Sequence, residues 1–122
     1  MVATILIVDD RPANREYLVT LLGYLGYRML EAADGAEALK RLKQGVPRPD
    51  VVILDLGLPV IDGGGVFRAM QADPSLAKIP VVVSTGQPEL APPGAIVVPK
   101  PLKLDRLLKK VAMLVPDMPK AG

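Results

Sequence analysis

Two hydrophobic patterns alternate along the chain and predict alternating strands and helices. Short continuous apolar runs, rich in Val and Ile, are typical of strands buried on both faces of a parallel sheet. Four segments have this character, namely residues 4–8, 51–54, 81–84 and 95–98. Residues 28–32 are a weaker candidate. The pattern therefore predicts five strands.

Between the strands, apolar residues recur at intervals of three and four, which is typical of amphipathic helices. The helical positions are Tyr17, Leu18, Leu21, Leu22 and Leu25, then Ala36, Leu39 and Leu42, then Val66, Phe67 and Met70, and finally Leu104, Leu107, Leu108, Val111 and Leu114. Pro12 suits a first helical turn and Asp34 an N-cap, whereas Gly26 and Gly45 suit helix ends. Four helices are expected.

This order of elements predicts an α/β fold. Strands that alternate with helices form a parallel sheet with right-handed crossovers and helices on both faces. The chain has 122 residues, which is the size of one domain. We therefore expect a single domain over residues 1–122, with its core at about 3–116 and a short C-terminal tail at 117–122.

Composition excludes several kinds of chemistry. The chain has no cysteine and no histidine, so thiolate or imidazole metal sites, cysteine nucleophiles and a phosphohistidine donor role are ruled out. Aromatic residues make up 3% of the chain and the net charge is +2, which argues against base stacking and against a nucleic-acid footprint. With no long apolar run and no basic leader, no membrane contact and a cytoplasmic location are expected.

Polar residues follow the predicted strands at the positions where parallel α/β sheets place their functional groups. These residues are the carboxylates Asp9, Asp10 and Asp55, the hydroxyl of Thr85 and the ammonium of Lys100. Three neighbouring carboxylates repel one another, and Mg²⁺ relieves that repulsion. One carboxylate could then attack a phosphoryl group while the metal, the lysine and the hydroxyl neutralise its oxygens. Taken singly, each residue is more often a cap, a turn residue or a surface lysine.

Four motifs resemble the receiver domains of two-component response regulators. They are ILIVDD at residues 5–10, VILDLGLP at 52–59 with Asp62 and Gly63, IPVVVSTG at 79–86, and Lys100 with Pro101. The resemblance covers almost the whole chain, in order. It implies a flavodoxin-like (βα)5 fold, a doubly wound five-stranded sheet of strand order 2-1-3-4-5.

The resemblance also implies a role for each site residue. Asp55 would be the phosphoacceptor, Thr85 and Lys100 the switch and catalytic residues, and the peptide bond before Pro101 would be cis. Mg²⁺ would be held by Asp9, Asp10, Asp55 and the backbone carbonyl of Gly57. The phosphoryl donor would be a sensor histidine kinase or a histidine phosphotransfer domain. Such a domain is a phosphoacceptor switch rather than an enzyme, because it catalyses only its own phosphoryl transfer and dephosphorylation.

The chain departs from the family at two places. Val97 stands where most relatives have an aromatic switch residue, and residues 87–94 stand where relatives have a full helix. Three prolines and a glycine cannot hold several regular turns, so we expect the fourth helix to be absent or reduced to one turn. Output to an unknown downstream protein or fused domain would then use another surface, without direct nucleic-acid binding.

Two further segments have structural interpretations. Gly63, Gly64 and Gly65 open the third helix, and we interpret them as a turn that tolerates positive φ. Met113, Leu114 and Val115, with the tail, are expected to cap the core, although an exposed apolar edge there could instead support a dimer.

Three other functions fit the same architecture less well. A pseudo-receiver would be an interaction module that is not phosphorylated, which Val97 and the proline segment favour and the complete residue set opposes. A flavodoxin-like cofactor binder needs a phosphate cradle after the first strand, where this chain has Asp9 and Asp10. A metal phosphohydrolase would need more chain to enclose a substrate.

Overall fold

A parallel sheet organises the molecule. The computed structural model describes residues 2–58 and 61–115. Its strands are β1 (Thr4–Val8), β2 (Arg28–Ala32), β3 (Val51–Asp55), β4 (Val81–Thr85) and β5 (Ile96–Pro99). They pair in parallel in the order β2-β1-β3-β4-β5, which confirms the predicted fold and strand order. β3 and β4 each run one residue further than predicted, and β5 begins one residue later.

Helices cover both faces of this sheet. They are α1 (Pro12–Tyr24), α2 (Gly35–Gln44), α3 (Gly63–Ala72) and α4 (Leu104–Leu114). Buried residues of α2 and α3 pack in one core with β1, β3 and β4, whereas those of α1 and α4 pack in a second core on the opposite face. The strands stay apolar along their length because both faces are covered. Polar residues lie at the carboxyl edge of the sheet.

The segment between β4 and β5 holds a single 3-10 turn at Pro88–Leu90. This confirms that the fourth helix of the family is reduced. Proline supplies no amide hydrogen and clashes with the preceding turn, so Pro88, Pro92 and Pro93 leave no stretch long enough for an α-helix. β5 lies at the edge of the sheet, and Ile96 and Val97 are only half-buried there.

Some positions of the predicted apolar faces are exposed. Tyr17 is 59% exposed, and Ala36 is exposed as well. A separate prediction, that residues 113–115 cap the core, is wrong for Met113, which is 78% exposed, whereas Val115 is buried. The tail at 117–122 lies outside the described residues. None of the helices within residues 2–58 and 61–115 has both the length and the hydropathy needed to cross a membrane.

Helix ends follow the sequence signals. Gly26 and Gly45 adopt positive φ angles of 102° and 69°, and Gly45 is the C-cap residue of α2. The Asp34 side chain caps α2 by accepting a hydrogen bond from the Glu37 N–H at 2.8 Å. The peptide bonds before Pro47 and Pro101 are both cis; the resemblance implied the second and gave no indication of the first.

Replacing Asp34 with alanine is expected to destabilise the protein by about 1 kcal/mol, because an orphan amide at the start of α2 loses its acceptor. For a chain of this size, that corresponds to a melting temperature about 4 °C lower. Thermal unfolding followed by circular dichroism measures the change. The control is Glu16→Ala, which removes an exposed carboxylate from α1 and should cost less than about 0.5 kcal/mol. Equal melting temperatures for Asp34→Ala and the wild type would contradict the capping role.

Candidate functional site

Three carboxylates meet at the carboxyl edge of the sheet. Asp55 is the last residue of β3, and Asp9 and Asp10 directly follow β1. The register of these neighbouring strands aligns Val8 with Leu54, which places the acidic pair beside Asp55. Carboxylate oxygens of the three residues lie within 4.8 Å of one another. Asp9 and Asp55 are buried, whereas Asp10 is exposed.

Both oxygens of the Asp55 carboxylate have partners. The Gly57 N–H donates a hydrogen bond to Oδ1 at 3.0 Å, and Lys100 Nζ donates to Oδ2 at 3.1 Å. The Lys100 side chain is 35% exposed and that of Asp55 is 8% exposed. Lys100 is fixed at its base because its backbone N–H donates to the Thr85 carbonyl at 2.8 Å. The ammonium group therefore approaches a buried carboxylate from the solvent side.

Thr85 lies at the end of β4, on the other side of Asp55 from the acidic pair. It is buried, and its Oγ1 accepts a hydrogen bond from the Gln87 N–H at 3.0 Å. Thr85, Lys100, Gly57 and Asp55 line one cavity. A Cβ at position 57 would lie 3.7 Å from Asp55 Oδ1, which is an ordinary van der Waals contact.

The charge of Asp9 is poorly solvated. Burial raises the pKa of Asp9, and the carboxylates of Asp55 and Asp10 act in the same direction. The hydrogen bond from the Arg11 N–H, at 2.9 Å to Asp9 Oδ1, and the charge of Lys100 oppose that rise. Hard oxygen ligands that repel one another suit a divalent cation. The three acids therefore fit a metal ion.

The structure contradicts the prediction made for Gly63, Gly64 and Gly65. The positive-φ glycines of the described residues are Gly26, Gly45 and Gly94, so the interpretation of residues 63–65 as a positive-φ turn is wrong. A Cβ on Gly63 would lie 2.5 Å from the Asp55 carbonyl oxygen and 2.7 Å from Leu56 Cα. The glycine is needed because α3 begins directly against the end of β3.

Around the site lie other residues to which the sequence analysis assigned no role. Asp62, which directly precedes α3, and Arg68, in the second turn of that helix, line the same cavity as Asp55 and Thr85. Asp62 caps α3 by accepting from the Gly65 N–H at 2.7 Å, a role that its position before a helix could have suggested. Arg15 contacts the Asp9 backbone. Its place one turn into α1 gave no signal of that contact.

A parallel α/β fold with clustered acids, a hydroxyl and an ammonium group at the strand ends is suited to binding divalent cations and phosphoryl groups. Residues 5–112 match the family described as the response regulator receiver domain. The chain belongs to that family, and its function is that of a receiver domain in two-component signal transduction.

Curated relatives differ in how much of their length the chain covers. Protein Rrf1 of Nitratidesulfovibrio vulgaris is 36% identical over 98% of this chain and 92% of its own length. Response regulator MprA of Mycobacterium sp. (strain KMS) is 34% identical over 94% of this chain and 51% of its own. "Probable transcriptional regulator ycf27" of Guillardia theta is 39% identical over 71% of this chain and 32% of its own. The chain thus spans about a third to a half of the length of some relatives.

Solved structures show the same fold. The chemotaxis response regulator CheY4 of Vibrio cholerae superposes with a TM-score of 0.82 at 29% identity, over 94% of this chain and 100% of that one. The signal receiver domain of a signal transduction histidine kinase from Syntrophus aciditrophicus gives 0.81 at 33% identity, over 92% and 89%. The fold is therefore that of receiver domains both in chemotaxis regulators and in histidine kinases.

Proposed function

We propose that this receiver domain accepts a phosphoryl group on Asp55, with Mg²⁺ held by Asp9, Asp10, Asp55 and the backbone carbonyl of Gly57. The observation that carries the proposal is the environment of Asp55. Its buried carboxylate lies within 4.8 Å of two further carboxylates and contacts Lys100 Nζ at 3.1 Å. This environment favours phosphorylation over the alternative of an unphosphorylated interaction module.

The chain's own groups account for the transfer. A carboxylate oxygen of Asp55 attacks phosphorus, the bond from phosphorus to the donor nitrogen breaks, and its electron pair stays on that nitrogen. Lys100 neutralises negative charge beside the acceptor, and the Thr85 hydroxyl can donate a hydrogen bond to a phosphoryl oxygen. When bound, Mg²⁺ supplies positive charge to the oxygens of the transferred group.

The proposed partners follow from this chemistry. The chain has no histidine, so the phosphohistidine must belong to a sensor kinase or a phosphotransfer domain outside this sequence. A phosphoryl group carries about −1.5 to −2 charge at neutral pH by analogy with other phosphorylated side chains. Because the acceptor carboxylate loses its own negative charge, the net change at Asp55 is about −0.5 to −1, and this charge with the added oxygens changes the surface that a downstream protein or fused domain meets. We infer a cytoplasmic phosphoacceptor switch that modifies itself and turns over no separate substrate.

Intact-mass spectrometry tests the proposal. The protein is incubated with Mg²⁺ and two small donors, an acyl phosphate and a phosphoramidate, and parallel samples contain EDTA. We expect a gain of one phosphoryl group that requires Mg²⁺. No gain in mass together with no Mg²⁺ binding would favour the unphosphorylated interaction module, and a gain of the same size in EDTA would contradict the proposed role of Mg²⁺.

Replacing Asp9 with asparagine should have opposite effects with and without metal. The raised pKa of Asp9 means that its contribution to stability is favourable below the unfolded-state pKa and is lost as pH rises through the folded-state pKa. At neutral pH without Mg²⁺, Asp9→Asn is therefore expected to raise the melting temperature by a few degrees, since 1 kcal/mol corresponds to about 4 °C at this size. The same substitution should remove most of the stabilisation by Mg²⁺.

Thermal unfolding at pH 7, in EDTA and in saturating Mg²⁺, measures both effects. Glu16→Gln is the matched control, because it removes an exposed negative charge from α1 and should leave both melting temperatures within about 2 °C of the wild type. A variant Asp9→Asn that melts below the wild type in EDTA would contradict the repulsion argument.

A further inference from the structure

The side chain of Arg15, a residue of α1, contacts both the backbone of Asp9 and a side chain on β2. It lies in the first turn of α1, and its Nη1 donates a hydrogen bond to the Asp9 carbonyl oxygen at 2.8 Å. Its Nε forms an ion pair with Glu31 Oε1, on β2, at 3.2 Å. The Arg15 side chain is 18% exposed and that of Glu31 is 45% exposed. The guanidinium therefore serves two acceptors at once from a largely buried position.

Hydrogen bonds hold Asp9 at its backbone N–H, at its carboxylate and at its backbone carbonyl. The Asp9 N–H donates to the Ala32 carbonyl on β2 at 3.1 Å, and its Oδ1 accepts from the Arg11 N–H at 2.9 Å. Arg15 holds the remaining backbone group, the carbonyl, which belongs to the peptide unit that leads into Asp10. An Arg guanidinium presents donors in a fixed fork, whereas a Lys ammonium is a single point. One side chain thus orients the peptide between the two acidic residues.

We propose that Arg15, oriented by Glu31, is a positioning residue for the divalent-cation site. The inference rests on the proposed function, since it concerns the Mg²⁺ site formed by Asp9, Asp10 and Asp55. Groups that orient metal ligands from outside the ligand set commonly contribute 10–100-fold in metal affinity. Arg15 acts on the backbone that carries the ligands, so the lower end of that range is expected.

The positioning role of Arg15 and its positive charge predict opposite changes in Mg²⁺ affinity when Arg15 is removed. Arg15 is a cation close to a cation site, so its charge alone opposes Mg²⁺ binding, and removing that charge would strengthen binding. Loss of positioning weakens binding, because Asp9 and Asp10 are no longer held in one arrangement. The direction of the change in Mg²⁺ affinity therefore separates the two effects.

Titration calorimetry with Mg²⁺ alone tests the inference on the wild type, Arg15→Ala, Arg15→Lys and Arg28→Ala. Arg28 is the matched control, since it is an exposed arginine at the opposite end of β2. We expect the Kd to rise about tenfold in Arg15→Ala, to rise less in Arg15→Lys, which keeps the charge and one donor nitrogen, and to stay near the wild-type value in Arg28→Ala.

Melting in EDTA supplies a second measurement. A positioning role predicts that Arg15→Ala loses more stability in saturating Mg²⁺ than in EDTA, because the variant gains less from the metal. An unchanged or lower Kd in Arg15→Ala, or equal losses in both buffers, overturns the inference. Phosphoryl uptake by the wild type, measured in the same preparations, shows separately whether the proposed function holds. If the wild type itself binds no Mg²⁺, both are overturned.

Discussion

Substitution of Asp55 with asparagine is expected to abolish Mg²⁺-dependent phosphoryl incorporation while the fold is retained. The amide has nearly the same shape as the carboxylate and still offers an oxygen to the Gly57 N–H or to Lys100 Nζ. It lacks the negative charge that makes the acceptor a nucleophile. One of the three carboxylates that attract the metal is lost as well. Intact-mass spectrometry with the small donors should show no added phosphoryl group.

Asp105→Asn is the matched control for this experiment. Asp105 is an exposed carboxylate in the first turn of α4, so its substitution makes the same chemical change away from the cavity. It should incorporate phosphoryl at the wild-type rate. Incorporation by Asp55→Asn at that rate would show that another group is the acceptor, and peptide mapping would identify it. Circular dichroism checks that both variants fold.

Gly63→Ala is expected to give the largest loss of stability among these substitutions. The added Cβ would lie 2.5 Å from a backbone oxygen of Asp55 and 2.7 Å from Leu56 Cα. These are main-chain atoms at the end of a central strand, which cannot move aside as a flexible side chain can. Such overpacking typically costs about 1–3 kcal/mol, and we expect the upper part of that range. The melting temperature should fall by about 8–12 °C.

Gly23→Ala provides the contrast. Gly23 lies within α1, and a Cβ there meets Met29 Cγ at 3.9 Å as its nearest neighbour. Because alanine favours the helical conformation more than glycine does, the free energy of unfolding of this variant should be higher than that of the wild type by up to about 1 kcal/mol. Chemical denaturation of both variants measures the difference. If Gly63→Ala were as stable as the wild type, the close approach of α3 to the backbone at the end of β3 would not be the reason for a glycine at position 63.

The main elements and the principal site residues could be predicted because each depends on local signals. β1, β3 and β4 are continuous apolar runs, since both faces of the sheet are covered. Asp55 and Thr85 stand at the ends of such runs, and parallel strands bring their carboxyl ends to one edge. The strand order and the residue roles came from the resemblance rather than from periodicity.

Other features depend on tertiary contacts that periodicity does not encode. The reason for Gly63 lies in the backbone of β3, and Arg15 reaches the Asp9 carbonyl only through the docking angle of α1. Helical spacing assigned Tyr17 and Ala36 to apolar faces, but both residues are exposed. The spacing identifies a face of the helix, whereas the position of neighbouring elements decides how wide a strip of that face is covered.

The proline-rich connection before β5 also affects resistance to aggregation. A short helix at that position leaves the edge strand less covered, and an edge strand can template pairing with a foreign chain. β5 has only four residues and ends at Pro99, and Pro92, Pro93 and Pro101 flank it. Proline offers no N–H to an incoming strand. Pro92 and Pro93 therefore both shorten the helix and, with Pro99 and Pro101, limit the pairing of β5 with another chain.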